Sequence, residues 1–170
     1  MGGADDPFDD FEIEYDLAAL RPRFDAVLKD AREKTREFLS RSRWLTKNEA
    51  TRYEYVSTSY DDGLGPARFR PDGYQFFQLD FVDEALDYAR QIPQRFDDMR
   101  GVLSFSGPYL WVRFGEARRL LAELWSLDPG HLFLITEGRT AGLVLDNTLD
   151  ADEQPFREGA YIEMAAWPAA

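Results

Sequence analysis

His131 is the only histidine of this 170-residue chain, and it is the residue best suited to act as a general base. It follows Asp-Pro-Gly and opens a predicted strand rich in Leu and Phe. Ser104 and Ser106, in the segment SFSGP, are the candidate nucleophiles. That segment does not match the G-x-S-x-G elbow, in which a sharp strand-to-helix turn exposes the serine. We therefore interpret His131 as a strand-end residue and predict no catalytic residues.

Carboxylate clusters are the second chemical feature, because oxygen ligands suit hard cations. In a calcium loop counted from Asp146, Ala151 stands where a glycine belongs and Arg157 where a bidentate glutamate belongs. The first-turn acids Asp83 and Glu84 favour the helix dipole without any metal. The segment GLGP at 63–66 is too short to cradle a phosphate and precedes no helix. The sequence therefore predicts neither a metal site nor a cofactor.

Four basic residues recur at helical spacing in the first long predicted helix: Lys29, Arg32, Arg36 and Arg43. On one continuous helix they would share a side, where they could follow a phosphate backbone. Their acidic neighbours would weaken that potential through local pairs. The net charge of −12 also repels polyanions, so the sequence argues against a nucleic-acid partner.

The acidic start of the chain is the strongest candidate for a binding surface. Residues 1–16 hold seven acidic and no basic side chains, interspersed with aromatic residues. Charge of this kind speeds encounter with a basic protein, and aromatic side chains anchor the contact. In the alternative interpretation the segment is a tail whose last aromatics pack onto the body. The predicted contact residues, which include acids of two later loops, are Asp5, Asp6, Phe8, Asp9, Asp10, Phe11, Tyr15, Asp61, Asp62, Asp150, Asp152 and Glu153.

Composition sets the class of protein. The chain has no cysteine, which excludes disulfides and thiol chemistry, and 15% of its residues are aromatic, which favours a packed core. The start of the sequence lacks the apolar run of a signal peptide, and no segment approaches the length of a membrane span. We expect an acidic leader over residues 1–10, a single domain over residues 11–170, and a cytoplasmic location without membrane attachment.

The elements that must position these residues follow from the hydrophobic pattern. Between residues 102 and 146 the sequence predicts two hairpins separated by a helix. The pattern over the whole chain predicts an α+β fold, with an antiparallel sheet of about five to seven strands and helices at about 22–42, 82–91 and 115–127. The helices should pack mainly on one face of the sheet. A hairpin followed by a helix occurs twice, at 51–91 and 102–127.

These features together predict a non-enzymatic, acidic protein-binding domain. A specific version is an inhibitor or immunity protein that neutralises a basic partner such as a nuclease toxin. The alternatives are a structural or adaptor subunit of a larger assembly and a carboxylate-dependent enzyme that uses His131. The sequence does not fix the oligomeric state.

Overall fold

A six-stranded antiparallel sheet is the centre of the residues that the computed structural model describes, which are 15–53, 75–79, 82–147 and 162–168. The spatial order of its strands is β1-β6-β5-β4-β2-β3. The predicted α+β fold with an antiparallel sheet is confirmed, and the sheet is open. The strands are β1 Gln75–Leu79, β2 Arg100–Ser104, β3 Tyr109–Arg113, β4 His131–Thr136, β5 Gly142–Asn147 and β6 Ile162–Trp167.

Along the described chain, three helices precede β1, one lies between β1 and β2, and two lie between β3 and β4. The last two are short and nearly continuous, and two short 3-10 turns lie at Thr51–Tyr53 and Gln94–Phe96. The described helices are α1 Leu17–Asp30, α2 Glu33–Arg41, α3 Lys47–Ala50, α4 Val82–Gln91, α5 Phe114–Arg118 and α6 Leu121–Leu127.

The two faces of the sheet pack against different elements, because successive side chains of a strand point to opposite faces. In β4, Leu132 and Leu134 face a large core that helices α1, α2, α4, α5 and α6 complete. Phe133 and Ile135 face a second core, to which Tyr15, Leu45, Ala50 and Tyr53 contribute. The helices therefore lie mainly on one face, as the sequence predicts.

The long helix predicted over about 22–42 is two helices in the structure. The first begins earlier than predicted, because the side chain of Asp16 accepts hydrogen bonds from the amides of Ala18 and Ala19, and Pro22 lies inside the helix. The chain turns to an extended conformation at Ala31 and Arg32 before α2 begins. The four basic residues of this region therefore do not share one continuous helix.

Two side chains, one distant in sequence and one nearby, stabilise this break between α1 and α2. Glu123 of α6 accepts hydrogen bonds from the amide of Arg32 at 3.0 Å and from the hydroxyl of Thr35 at 2.8 Å, which satisfies donors at the start of α2. The guanidinium of Arg36 donates to the carbonyls of Leu28, Lys29 and Ala31, which satisfies acceptors at the end of α1. Both contacts stabilise two short helices in place of one long one.

The remaining predicted elements agree with the structure to different degrees. The helix predicted at 82–91 has those bounds, whereas the one predicted at 115–127 is divided into α5 and α6. Of the hairpin predicted before the 82–91 helix, residues 51–53 are a 3-10 turn and Gln75–Leu79 is strand β1, which pairs with β6, while the pairing of the two predicted strands stays a prediction. Residues 54–74 of this predicted hairpin lie outside the described part of the chain. Most of the first hairpin–helix unit, at 51–91, therefore lies outside it too.

The exposed edge of β3 is partly covered by the segment that follows α2. Trp111 donates its amide to the carbonyl of Arg43 at 2.8 Å, and Leu45 donates to the carbonyl of Tyr109 at 2.8 Å. A covered edge is protected from pairing with other chains. The segment 43–45 therefore completes this side of the sheet without counting as a strand.

Candidate functional site

The charge of the chain is divided unevenly between the described residues and the rest. The described residues include seventeen acidic and seventeen basic side chains, so the formal net charge of −12 belongs to the other segments. Residues 1–14 hold six acidic and no basic side chains, and residues 148–161 hold four acidic and one basic. The acidic excess therefore lies in the segments for which the sequence predicts partner contacts.

Ion pairs within the chain neutralise most arginines of the described part. The Arg100 guanidinium, for example, donates to Glu137 at 2.6 Å, and this hydrogen bond lowers the pKa of the glutamate. Exposed pairs of this kind contribute little to stability, but they neutralise the charge of the arginines that form them. The other pairs are Arg21–Asp25, Arg23–Asp128, Arg41–Glu116, Arg43–Glu49, Arg90–Asp87, Arg113–Asp98 and Arg118–Asp97.

Among the predicted contact residues, only Tyr15 lies in the described part of the chain. It is 4% exposed and packs in the second core, where its ring lies 5.2 Å from that of Tyr109. Its position matches the alternative interpretation, in which the last aromatic of the leader packs onto the body. The others lie outside the described residues: Asp5, Asp6, Phe8, Asp9, Asp10, Phe11, Asp61, Asp62, Asp150, Asp152 and Glu153.

The hydroxyl of Tyr15 connects the start of the described chain to the β3 edge. It donates to the carbonyl of Leu45 at 3.0 Å and accepts from the amide of Tyr109 at 3.1 Å. Burial raises the pKa of Tyr15 from 10.0 to about 12, against the opposing effect of the Tyr109 hydrogen bond. The folded state therefore favours the neutral phenol.

We expect this pKa to make stability depend on pH in the alkaline range. Between pH 10 and about 12 the unfolded state loses a proton that folded Tyr15 keeps, so the free energy of unfolding falls as pH rises through this window. The stability advantage of wild type over Tyr15→Phe should shrink correspondingly. Urea unfolding of both proteins at about pH 9 and about pH 11 measures the change, because other groups titrate equally in both. A wild-type advantage that stays constant between the two pH values would contradict the expectation.

The predicted basic face is dispersed in the structure. Arg36 is bound to backbone carbonyls at the end of α1, and Arg43 donates to Glu49 at 3.1 Å. The hydrogen bond from Arg43, supported by the amide of Thr46, lowers the pKa of Glu49 to about 2. Lys29 and Arg32 lie on either side of the helix break. A single phosphate-tracking stripe of these four residues is not formed.

His131 has a partner that the local sequence did not indicate. It lies opposite Asp146 in the β4–β5 pairing, and its Nδ1 contacts the Asp146 carboxylate. An ionised carboxylate only accepts, so this contact is a hydrogen bond to ionised Asp146 when Nδ1 carries the proton. This contact could have been predicted from the β4–β5 hairpin, because pairing around the turn at 137–141 places residue 146 opposite residue 131.

The candidate serines are not arranged as nucleophiles for this histidine. Ser104 and Ser106 are both 5% exposed, and Ser106 lies in the tight β2–β3 turn with φ of 55°. Within the described residues, the Ser106 hydroxyl is buried without a hydrogen-bond partner, so it makes no hydrogen bond to His131. A general base acts on a proton within hydrogen-bond reach, and the side chains of His131 and Ser106 do not meet that condition.

The described residues contain neither a cluster of metal-binding side chains nor a membrane-spanning helix. No group of three or more His, Asp or Glu side chains there is placed to hold a metal ion. Among the same residues, no helix combines the length and apolar composition needed to cross a bilayer. Comparisons of the whole chain with protein-family models, curated proteins and solved structures find no match.

Proposed function

We propose that this chain is a non-enzymatic protein-binding domain that neutralises a basic partner, as an inhibitor or immunity protein does for a nuclease toxin. The observation that carries the proposal is the division of charge. The described residues hold equal numbers of acidic and basic side chains, while the full net charge of −12 lies in segments outside them. A chain whose acidic excess is concentrated in a few sequence segments is suited to electrostatic capture of a basic protein.

The acidic segments also carry the residue types that hold an interface after encounter. Phe8 and Phe11 stand among the carboxylates of the first segment, and Phe156 stands beside those of 148–161. Carboxylates match Arg and Lys of the partner, and aromatic side chains contribute most of the affinity when they are buried in the complex. Such acids would occupy the cationic surface that a nuclease uses for phosphates.

Capture from the native host's lysate with three tagged baits tests this proposal. The baits are wild type, a variant with four leader acids neutralised, and a control with four exposed acids of α1 and α2 neutralised, which has the same net charge. The leader variant carries Asp5→Asn, Asp6→Asn, Asp9→Asn and Asp10→Asn. The control carries Asp25→Asn, Asp30→Asn, Glu33→Gln and Glu37→Gln, all at exposed positions.

We expect wild type and the control to retain one basic protein up to the same salt concentration. The leader variant should release it at lower salt, with an affinity about tenfold weaker or more, because close charge pairs across an interface are lost. Equal weakening of both variants would show that only net charge matters and would contradict a contact through the leader. Recovery of only further copies of the bait would contradict capture of a basic partner and would favour the alternative, a structural subunit that assembles with itself.

A further inference from the structure

A broad cleft of about 790 Å³ lies between the α1–α2 junction and the α5–α6 region. Arg32 and Lys34 line it from the α2 side, and Arg119 lines it from the linker between α5 and α6. Leu120 and Leu127 add apolar surface on the same side as Arg119. A cleft of this size lies within the range typical of small-molecule sites.

The three cations of the cleft differ from most others of the described part. Eight described arginines form ion pairs with carboxylates of the chain, and Arg36 is bound to backbone carbonyls. By contrast, the side chains of Arg32, Lys34 and Arg119 have no ion pair or hydrogen bond within the described residues. Because like charges repel, three unpaired cations at one cleft are electrostatically suited to an anion.

The carboxylates at the cleft do not satisfy these cations. Glu123 is held by the Arg32 amide at 3.0 Å and the Thr35 hydroxyl at 2.8 Å. Asp30 is exposed at the end of α1 and forms no ion pair in the described structure. The lining of the cleft therefore holds three cations and two carboxylates, a local excess of one positive charge.

We propose that this cleft binds a small organic phosphate. In the proposed site, cations from the two sides of the cleft would bind different oxygens of one phosphate group, with Arg presenting a planar fork and Lys a point charge. Leu120 and Leu127 would contact the organic part of the ligand. The site consists of described helices and their linkers and uses none of the acidic segments that carry the proposed partner contacts.

Isothermal titration with phenyl phosphate, with inorganic phosphate alongside, tests this site in the full chain. Wild type should bind phenyl phosphate saturably and more tightly than inorganic phosphate, because only the former reaches the leucines. Arg119→Gln and Lys34→Gln should each weaken binding about tenfold, the loss of one charge-assisted hydrogen bond. The matched controls Arg52→Gln and Lys47→Gln, exposed cations outside the cleft, should change it less than about twofold.

Two results would overturn the site. One is the absence of saturable binding of phenyl phosphate by wild type up to about 10 mM. The other is an equal effect of the cleft and control variants, which would mean that the ligand senses net charge only. All four substitutions are at exposed positions, so circular dichroism should show each variant folded as wild type.

Discussion

Arg118→Ala is expected to lower the free energy of unfolding by about 3 kcal/mol, because it leaves the partly buried Asp97 carboxylate and the Ile92 carbonyl without the Arg118 donor. The Arg118 side chain is 9% exposed, donates to the carbonyls of Ala89 and Ile92, and pairs with Asp97, which is 21% exposed. These contacts fix the end of α4 against α5. Chemical denaturation monitored by tryptophan fluorescence measures the loss.

Arg90→Ala is the matched control for that variant. Arg90 also pairs with an aspartate, Asp87, but the two side chains are 69% and 66% exposed. Its removal should cost less than about 1 kcal/mol, since exposed pairs gain little over their solvated state. Equal losses in the two variants would contradict the role assigned to the buried position of Arg118.

Phe133→Ala is the second large expected effect, at about 4 kcal/mol of unfolding free energy. Phe133 is fully buried at the centre of the second core, and its ring makes an edge contact with Tyr109 at 5.1 Å. Truncation leaves a cavity between the sheet and the elements that cover this face, and the lining relaxes only in part. The same denaturation experiment at neutral pH measures it.

Met99→Ala provides the comparison, because Met99 is 43% exposed and its truncation creates no internal cavity. We expect a change within about 0.5 kcal/mol. If Phe133→Ala were as mild as this control, the second face would not be a packed core. The two-sided packing of the sheet would then be wrong.

The strands were predictable because their pattern is local. In the hairpin of β4 and β5, apolar residues fill both faces, and the turn between them is rich in small and polar residues. The helix at 82–91 was predictable for the same reason, since Ala85, Leu86 and Ala89 recur at helical spacing and are buried. Local periodicity was sufficient wherever an element's ends are determined by its own residues.

The divided helices were not predictable from local pattern. The apolar spacing continues across Ala31 and Arg32, so periodicity alone favours one helix. The break depends on Glu123, which lies far along the chain and binds the start of α2 only after α6 packs beside it. A tertiary contact thus overrides the local preference.

The candidate sites show the same contrast. The acidic segments are visible in the sequence because their charges are contiguous, as at Asp5, Asp6, Asp9 and Asp10. The cationic cleft is not visible, because Arg32 and Arg119 come together only when the α1–α2 junction packs near α5 and α6. Their lack of ion pairs is likewise a property of the fold, since Arg41 of α2 and Arg118 of α5 do form ion pairs.

A calorimetric titration of the captured basic protein into this chain is the most direct test of the central claim, the capture of a basic partner by acidic segments. Performed at about 0.1 M and about 0.5 M sodium chloride, it measures both stoichiometry and the electrostatic share of affinity. We predict a one-to-one complex that weakens at the higher salt, and a leader-neutralised variant that binds less tightly at the lower salt. Binding unaffected by salt and by the neutralised leader would contradict the account, as would a lysate that yields no basic protein to titrate.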